Sequence, residues 1–421
     1  MFANPRARIA YAIQNVGGIN FREDVGDTVP IKQTLLRLPQ AGFQVSCFQL
    51  MGREVLRYDD IADLANVRRV PQGLSCTTPF KVLESGVRRL QKMAGLSYYA
   101  VIDSYRFYEA MYRALPHYDL CHEHNGLFCI GAALACRKLG IPYVLTFSAD
   151  LLLERRLVGK PLKGLHARVA EAEARYTYRL ARKILCVSRA AKRHLIENWQ
   201  VPAEKIVVMP NGVDVDLFKP DESQGTLRCD LGLQDRQVIA FVGGFQPWHG
   251  LELLVESFAI VLSQVPSARL LLVGDGRARP SLERAIREFD VESKVIITGL
   301  VPQAQVPAHL SLADVAVMPY PELPQELWFS PLKMYEYMAA GKAIVASRAG
   351  QISEVIQDGH SGILVKPGDV HELAGALIRL LKSPQERKRL GRNARQQAVE
   401  KHSWQQYIRR LETIYLEALD Q

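Results

Sequence analysis

One rhythm constrains this chain above everything else. Short apolar runs rich in β-branched residues alternate with helical patterns from end to end, and several of the runs stop at glycine. Strands spaced by helices build parallel sheets from βαβ units. A first series comprises ARIAYAI (7–13), which stops before Gly17-Gly18, then a helix after Pro30 and the strand FQVSCFQL (43–50). YDLCHEH (118–124) and PYVLTFS (142–148) flank a helix at 131–140, and a basic amphipathic helix at 166–183 leads to KILCVS (183–188) and a helix at 190–199. A second series opens with KIVVMPNGVD (205–214) and continues with VIAFVGG (238–244), ARLLLVGDG (268–276), KVIITGL (294–300), DVAVMPY (314–320) and KAIVAS (342–347). Two helical stretches, at about 370–400 and 404–420, finish the chain. At 421 residues the chain is too long for one core. The expected fold is α/β: two facing, Rossmann-like, doubly wound domains with a seam near 200–205 and a ligand cleft between the carboxyl ends of their sheets.

Charge divides along the same seam. Residues 1–210 carry 30 Lys+Arg against 18 Asp+Glu, a surplus of 12 positive charges, whereas residues 211–421 carry 23 against 26, an excess of 3 negative ones. A basic half points to an anionic partner or surface. Cys47, Cys76, Cys121, Cys129, Cys136, Cys186 and Cys229 show no C-x-x-C pair and no zinc-like spacing, which reads as reduced thiols. The first residues lack the apolar core of a signal peptide, and no run approaches the roughly 18–20 apolar residues of a membrane span. The expected location is cytoplasmic, with a peripheral seat on the inner face of the cytoplasmic membrane open to the basic half.

Three glycine turns follow strands: Gly17-Gly18, Gly243-Gly244 and VGDG at 273–276. Such turns offer backbone N–H groups to phosphates, although a tight strand–helix turn needs the same residues. None has G-x-G-x-x-G spacing, which argues against a dinucleotide enzyme. A stronger signal is FSPLKMYEYMAAGKAIVAS (329–347). Ser330 reads as a helix cap with Pro331 at the first helical position, and Lys333 follows in the first turn. A lysine there opposes the helix dipole, and a bound diphosphate would account for it. Glu336 lies one turn on, placed to hold ribose hydroxyls or to pair with Lys333.

The segment CVSRAAKRHLIENWQVPAEKIVVMPNGVDVDLFKP (186–220) closely resembles the interdomain signature of the large family of retaining, sugar-nucleotide-dependent glycosyltransferases of family-4 type, with the GT-B fold. The VGG-to-HG loop, LLVGDG, TGLV (298–301), SPLK…EYMAAG, HSGILVKPGD (360–369) and SWQQYIRRLETIY (403–415) match as well. The resemblance implies an acceptor-binding domain at 1–203, a nucleotide-sugar-binding domain at 204–402 and a last helix, 403–421, crossing back to the first domain. Glu336 matches the later glutamate of the family's E-x7-E motif, which holds the ribose. Gly243 and Gly244 match the loop near the diphosphate, with Asp275 in the neighbouring turn, and Leu300 and Val301 fall where the base rests. Gly18 matches the first-domain glycine loop, and Ser330, Pro331, Leu332 and Lys333 lie where backbone amides meet the donor.

Departures from the pattern are as informative. Trp328 stands where the earlier glutamate of E-x7-E belongs, Gly244 replaces the usual arginine, and His249 replaces the usual lysine. Lys333 and a protonated His249 are the expected substitutes, since the leaving diphosphate needs positive charge and not one residue type. Ser148 replaces a frequent histidine, which leaves Asp150 or Glu154 as acceptor- or sugar-side contacts, or as helix-start residues. His122 and His124 share a strand face. That invites a metal reading, but no third ligand is evident and the family needs no metal, so His124 is taken as a cleft-lining residue.

The implied activity is transfer of a sugar from a UDP- or GDP-linked donor to an acceptor hydroxyl with retention, by a hexosyltransferase of polysaccharide or glycoconjugate biosynthesis. Lys333, His249, His124 and Asp150 are the candidate catalytic residues, and no cofactor or metal is expected. The partners expected are the nucleotide sugar, a saccharide or lipid-linked saccharide acceptor and a membrane surface, with no nucleic acid. The rivals are a non-catalytic nucleotide-sugar-binding subunit and a GT-B nucleotide-sugar epimerase.

Overall fold

The structure, a computed structural model, describes residues 5–14, 20–21, 28–93, 101–157, 159–220, 225–323 and 328–420. The chain divides into two compact units: residues 1–210 with 407–421, and residues 211–406.

The first unit is built on β1 (Arg8–Ile13), β2 (Gln44–Met51), β3 (Glu54–Tyr58), β4 (Val67–Arg69), β5 (Leu120–His124), β6 (Tyr143–Phe147), β7 (Lys183–Cys186) and β8 (Ile206–Val208). They form one sheet in the order β4-β3-β2-β1-β5-β6-β7-β8, parallel except for the antiparallel β2–β3 and β3–β4 pairs. Central strands covered on both faces read as unbroken apolar runs, and Ile9, Ala10 and Ala12 of β1 are fully buried. The β3–β4 extension escapes the sequence rhythm because EVLRY and VRR carry charges near the sheet's edge, where the outermost strand, β4, is paired on one side only.

One expectation is corrected here. The run at 205–214 does not open the second sheet: β8 pairs in parallel with β7, Ile184 against Ile206, and completes the first. The intervening helix Arg189–Trp199 ends at Gln200 in the left-handed region (φ 54°), so the chain doubles back beside the strand it left. The first unit therefore runs to Pro210, beyond the expected boundary at 203. The last helix, Trp404–Asp420, begins in the second unit, and from Tyr407 onward belongs to the first. There Ile408, Leu411, Ile414, Tyr415 and Ala418 join the core of Ile9, Tyr11, Leu35 and Phe43.

The second unit holds β9 (Gln237–Val242), β10 (Ala268–Val273), β11 (Val295–Gly299), β12 (Val315–Met318), β13 (Ala343–Ser347) and β14 (Ile363–Val365), all parallel, in the order β11-β10-β9-β12-β13-β14. Alternate residues face opposite layers, as a strand's twofold period requires. Ile239 and Phe241 pack with Leu254 and Phe258 on one side, while Ala240 and Val242 pack with Met334 and Met338 on the other. The helical stretch expected near 370–400 is two helices, Val370–Lys382 and Pro384–Lys401, broken where proline forbids continuation. No helix among the described residues is long and apolar enough to cross a membrane.

Candidate functional site

In the second unit the strand order reverses between β9 and β12, and ligands of open parallel sheets bind at the carboxyl ends of such a pair. β9 runs into Gly243 (φ 138°), and β10 runs into Gly274 (φ 141°), Asp275 and Gly276 (φ 158°). The two turns are laced together: the Gly243 N–H donates to Val273 O at 2.9 Å, Phe245 N–H to Asp275 O at 2.8 Å and Ala278 N–H to Phe245 O at 2.9 Å. A Cβ on Gly274 would run into the carbonyl of Gly243, and one on Gly276 into the backbone of Phe245. Gly244 is different. Its φ is ordinary and the nearest atom to a Cβ there would be Gln246 Nε2 at 3.7 Å, so the absence of a side chain is not dictated by space.

The helix Leu332–Ala339 points its start toward the first of these turns. Lys333 Nζ lies 4.3 Å from the centre of the Phe241 ring and 3.2 Å from His249 Nε2, and a Cβ on Gly243 would sit 3.1 Å from it. His249 Nδ1 stands 2.6 Å from the Gly244 carbonyl, which can only accept, so Nδ1 carries the proton and Nε2 presents its lone pair to the lysine. Burial, and then the neighbouring Lys333, push His249 down to about 3. The expected protonated His249 is thus corrected: it is a neutral acceptor that fixes Lys333, not a second cation. Burial also lowers Lys333 to about 7, with Glu336 opposing the shift. Glu336 is raised to about 7 by burial, opposed by a long Gln303 Nε2 contact at 3.5 Å and by Lys333. Lysine and glutamate therefore change charge in the same range, at the carboxyl end of the sheet.

Other expected site residues are placed as follows. The helix starts one residue later than its sequence suggests: Pro331 is the N-cap, and Ser330 does not cap it. Instead the buried Ser330 Oγ accepts from Asn211 N–H at 3.1 Å and donates to Tyr335 Oη at 3.3 Å, tying the 211 segment to the helix. Backbone N–H groups of Leu332 and Lys333 begin the first turn, where no intrahelical acceptor exists. Asp275 is committed to its own turn, accepting from Gly276 N–H at 2.7 Å and from Arg279 at 2.8 Å, and both hold its carboxyl below the usual range. Leu300 is 80% exposed, and Val301 packs on the core below the same sheet end.

In the first unit, Gly18 lies outside the described residues. Asp150 is buried and fully engaged: Oδ1 caps the following helix by accepting from Leu153 N–H at 3.0 Å, while Oδ2 meets His194 Nε2 at 2.8 Å and Trp199 Nε1 at 2.9 Å. Burial alone would raise it, but these hydrogen bonds hold it below the ordinary value. This arrangement is that of a helix-start residue, not of a carboxylate left open to a substrate. His122 bridges Tyr415 Oη at 2.6 Å and Thr146 Oγ1 at 2.7 Å inside the core, whereas His124, half-buried at the strand end, is lowered to about 4 by burial. Ser148 is held by Asn125 Oδ1 at 2.8 Å. No group of three His, Cys, Asp or Glu side chains suited to a metal occurs among the described residues.

Sequence reasoning missed Phe241 and Gln303 in the second unit, which flank Lys333 and Glu336. It also missed Glu123, buried at the end of β5 and raised to about 8 by burial, with Tyr143 donating to it at 2.6 Å. Phe241 reads as one more apolar strand residue, and nothing in the local pattern around Gln303 or Glu123 marks either.

Residues 236–383 match the family described as glycosyl transferases group 1, and residues 31–217 match glycosyltransferase family 4. An MMP α-(1→4)-mannosyltransferase of Mycolicibacterium hassiacum is 32% identical over 72% of this chain and 71% of its own. A D-inositol 3-phosphate glycosyltransferase of Streptosporangium roseum is 29% identical over 94% and 88%. Among solved structures, a sucrose-phosphate synthase of Thermosynechococcus elongatus superposes with a TM-score of 0.70 at 21% identity, covering 98% of this chain and 99% of that one. Anabaena Alr3699/HepE in complex with UDP gives 0.69 at 19%, covering 97% and 100%.

Proposed function

The chain belongs to the group 1, family-4 glycosyltransferases with the GT-B fold, and from that premise we propose that it moves a sugar from a UDP- or GDP-linked donor to an acceptor hydroxyl with retention of configuration. The observation that carries the donor reading is the lysine held over the β9 glycine turn. Lys333 is fixed between Phe241 and a neutral His249, with Glu336 one turn further along the same helix. A solved structural neighbour holds UDP, which supports a nucleoside diphosphate as the ligand class.

In this reading the donor's diphosphate faces Lys333 and the N–H groups of Gly244, Leu332 and Lys333, and Glu336 accepts from the ribose hydroxyls. The bond between the anomeric carbon and the diphosphate oxygen breaks, and the acceptor oxygen bonds to the same face of that carbon. The acceptor's proton passes to the departing phosphate oxygen, so no separate base is needed. Positive charge at the leaving group lowers the barrier because it is stronger in the transition state than in the bound donor. The acceptor, a saccharide or lipid-linked saccharide, is assigned to the first unit. The surplus of 12 positive charges over residues 1–210 suits a cytoplasmic protein seated peripherally on the anionic inner leaflet.

A panel of UDP- and GDP-sugars screened by thermal shift identifies the donor, since a ligand of the folded state raises the melting temperature. With that donor and membrane extract, Lys333→Ala is expected to lower turnover about 10²–10³-fold with the fold intact. Undiminished transfer by this variant removes Lys333 from the mechanism. Trp328 in place of the first glutamate of E-x7-E favours one rival. If the wild-type protein binds a nucleotide sugar yet neither transfers nor hydrolyses it, the chain is a binding subunit.

A further inference from the structure

The helix Thr78–Met93 in the first unit is fastened in an unusual way. Of its residues only Glu84 is buried, and that carboxylate meets Arg106 at 2.7 Å, Arg88 at 2.9 Å and Arg53 at 3.2 Å. Arg88 reaches on to Asp103 at 2.6 Å, and Phe80 stacks on Tyr105 with ring centres 5.8 Å apart. Ion pairs and one ring, not an apolar stripe, hold this helix to the neighbouring helix Val101–Ala114.

Four large apolar residues are left outside. Val82 is 68% exposed, Leu83 64%, Leu90 65% and Met93 76%. Leu83, Gly86, Leu90 and Met93 follow one another at spacings of three and four and so form one ridge, with Val82 beside it. Lys81, Arg89 and Lys92 are exposed on the adjoining flank, and the one acidic residue of the helix is the buried Glu84. A contiguous exposed apolar surface of this kind marks an interaction site.

We propose that this helix lies in the headgroup region of an anionic membrane, its Leu83–Leu90–Met93 ridge among the acyl chains and its cations against lipid phosphates. An amphipathic helix with apolar residues on one side and Lys/Arg on the other is the form that binds in the plane of an interface. A second copy of the chain suits the surface poorly, because a twofold contact would set the same basic flank against itself. The proposal deepens the membrane contact given above and rests on it only for the leaflet. It requires no particular sugar or acceptor.

The test uses the full chain and vesicle sedimentation, with vesicles of phosphatidylcholine alone or mixed with phosphatidylglycerol. The wild type is expected to bind the anionic vesicles and to be released by salt. Leu83→Asp with Leu90→Asp, both at exposed positions, is expected to lower vesicle binding at least about tenfold with an unchanged melting temperature and nucleotide-sugar affinity. Lys81→Glu with Lys92→Glu is expected to abolish the preference for anionic vesicles. Undiminished binding by the leucine double variant overturns the assignment to this helix while leaving a membrane contact elsewhere on the basic unit. Failure of the wild type to bind either vesicle overturns both. If the wild type is a dimer in solution that the leucine double variant splits, the ridge belongs to a second copy and the lipid proposal falls.

Discussion

At the scale of single residues, the second unit's chemistry turns on who carries charge beside the β9 turn. Three groups decide it: a carbonyl at Gly244 that orients His249, a lone pair on His249 that orients Lys333, and a glutamate one turn away. Lys333 and Glu336 both titrate near 7, so donor binding that needs the ammonium and the carboxylate together is greatest near neutrality. Below that range Glu336 takes a proton, and above it Lys333 loses one. Calorimetric affinity for a nucleotide sugar is therefore expected to fall on both sides of about pH 7, by at most about tenfold per unit. Lys333→Met is expected to flatten the alkaline limb and Glu336→Gln the acid limb, and a pH-independent wild-type affinity contradicts both assignments. The empty protein has its own slope. A lysine lowered from 10.5 to about 7 binds its proton more readily when unfolded, so its contribution destabilises fully below about pH 7 and the stability returns as pH rises toward 10.5. That Lys333 stands at the start of a helix was legible from the S-P-x-K pattern. The neutrality of His249 was not, because it depends on a carbonyl five residues back in the chain that only the folded turn presents.

At the scale of elements, the glycine turns behave as a dovetail, and their residues are not equivalent. Gly274→Ala forces an L residue to φ 141° and drives its Cβ into the Gly243 carbonyl, so a loss of at least about 1–3 kcal/mol is expected in urea unfolding. Gly244→Ala, in open space with an ordinary φ, is expected to stay within about 0.5 kcal/mol of the wild type. Equal losses at the two positions would mean that the turns do not interlock. Strands such as VIAFV and RLLLV were legible because burial on both faces leaves no polar interruption. EVLRY was not legible, since a strand second from the sheet's edge, in antiparallel pairing on both sides, carries charges at positions a helix or loop would also accept. Nor did the rhythm reveal which sheet β8 joins: IVV suits either, and the left-handed turn at Gln200 makes the choice.

At the scale of the whole molecule, the division of charge and the division of the fold nearly coincide, and the last helix is where they part. Tyr415 donates to or accepts from His122 inside the first unit's core, where burial lowers the imidazole to about 3 and keeps it neutral. Tyr415→Phe leaves that ring nitrogen without its partner, and a cost of about 1–3 kcal/mol in the first unit's unfolding is expected. A variant as stable as the wild type would show that the contact is dispensable. Arg182 adds a second tie, donating to the carbonyl of Ala418 near the end of the same helix. The His122–Tyr415 bond joins residues 293 apart. On the ribosome, then, the unit built from residues 1–210 lacks one wall of its core until residues 407–420 have been made. The second half, continuous from 211 to 406, has all its parts while the first is still waiting, so the order of completion runs opposite to the order of synthesis.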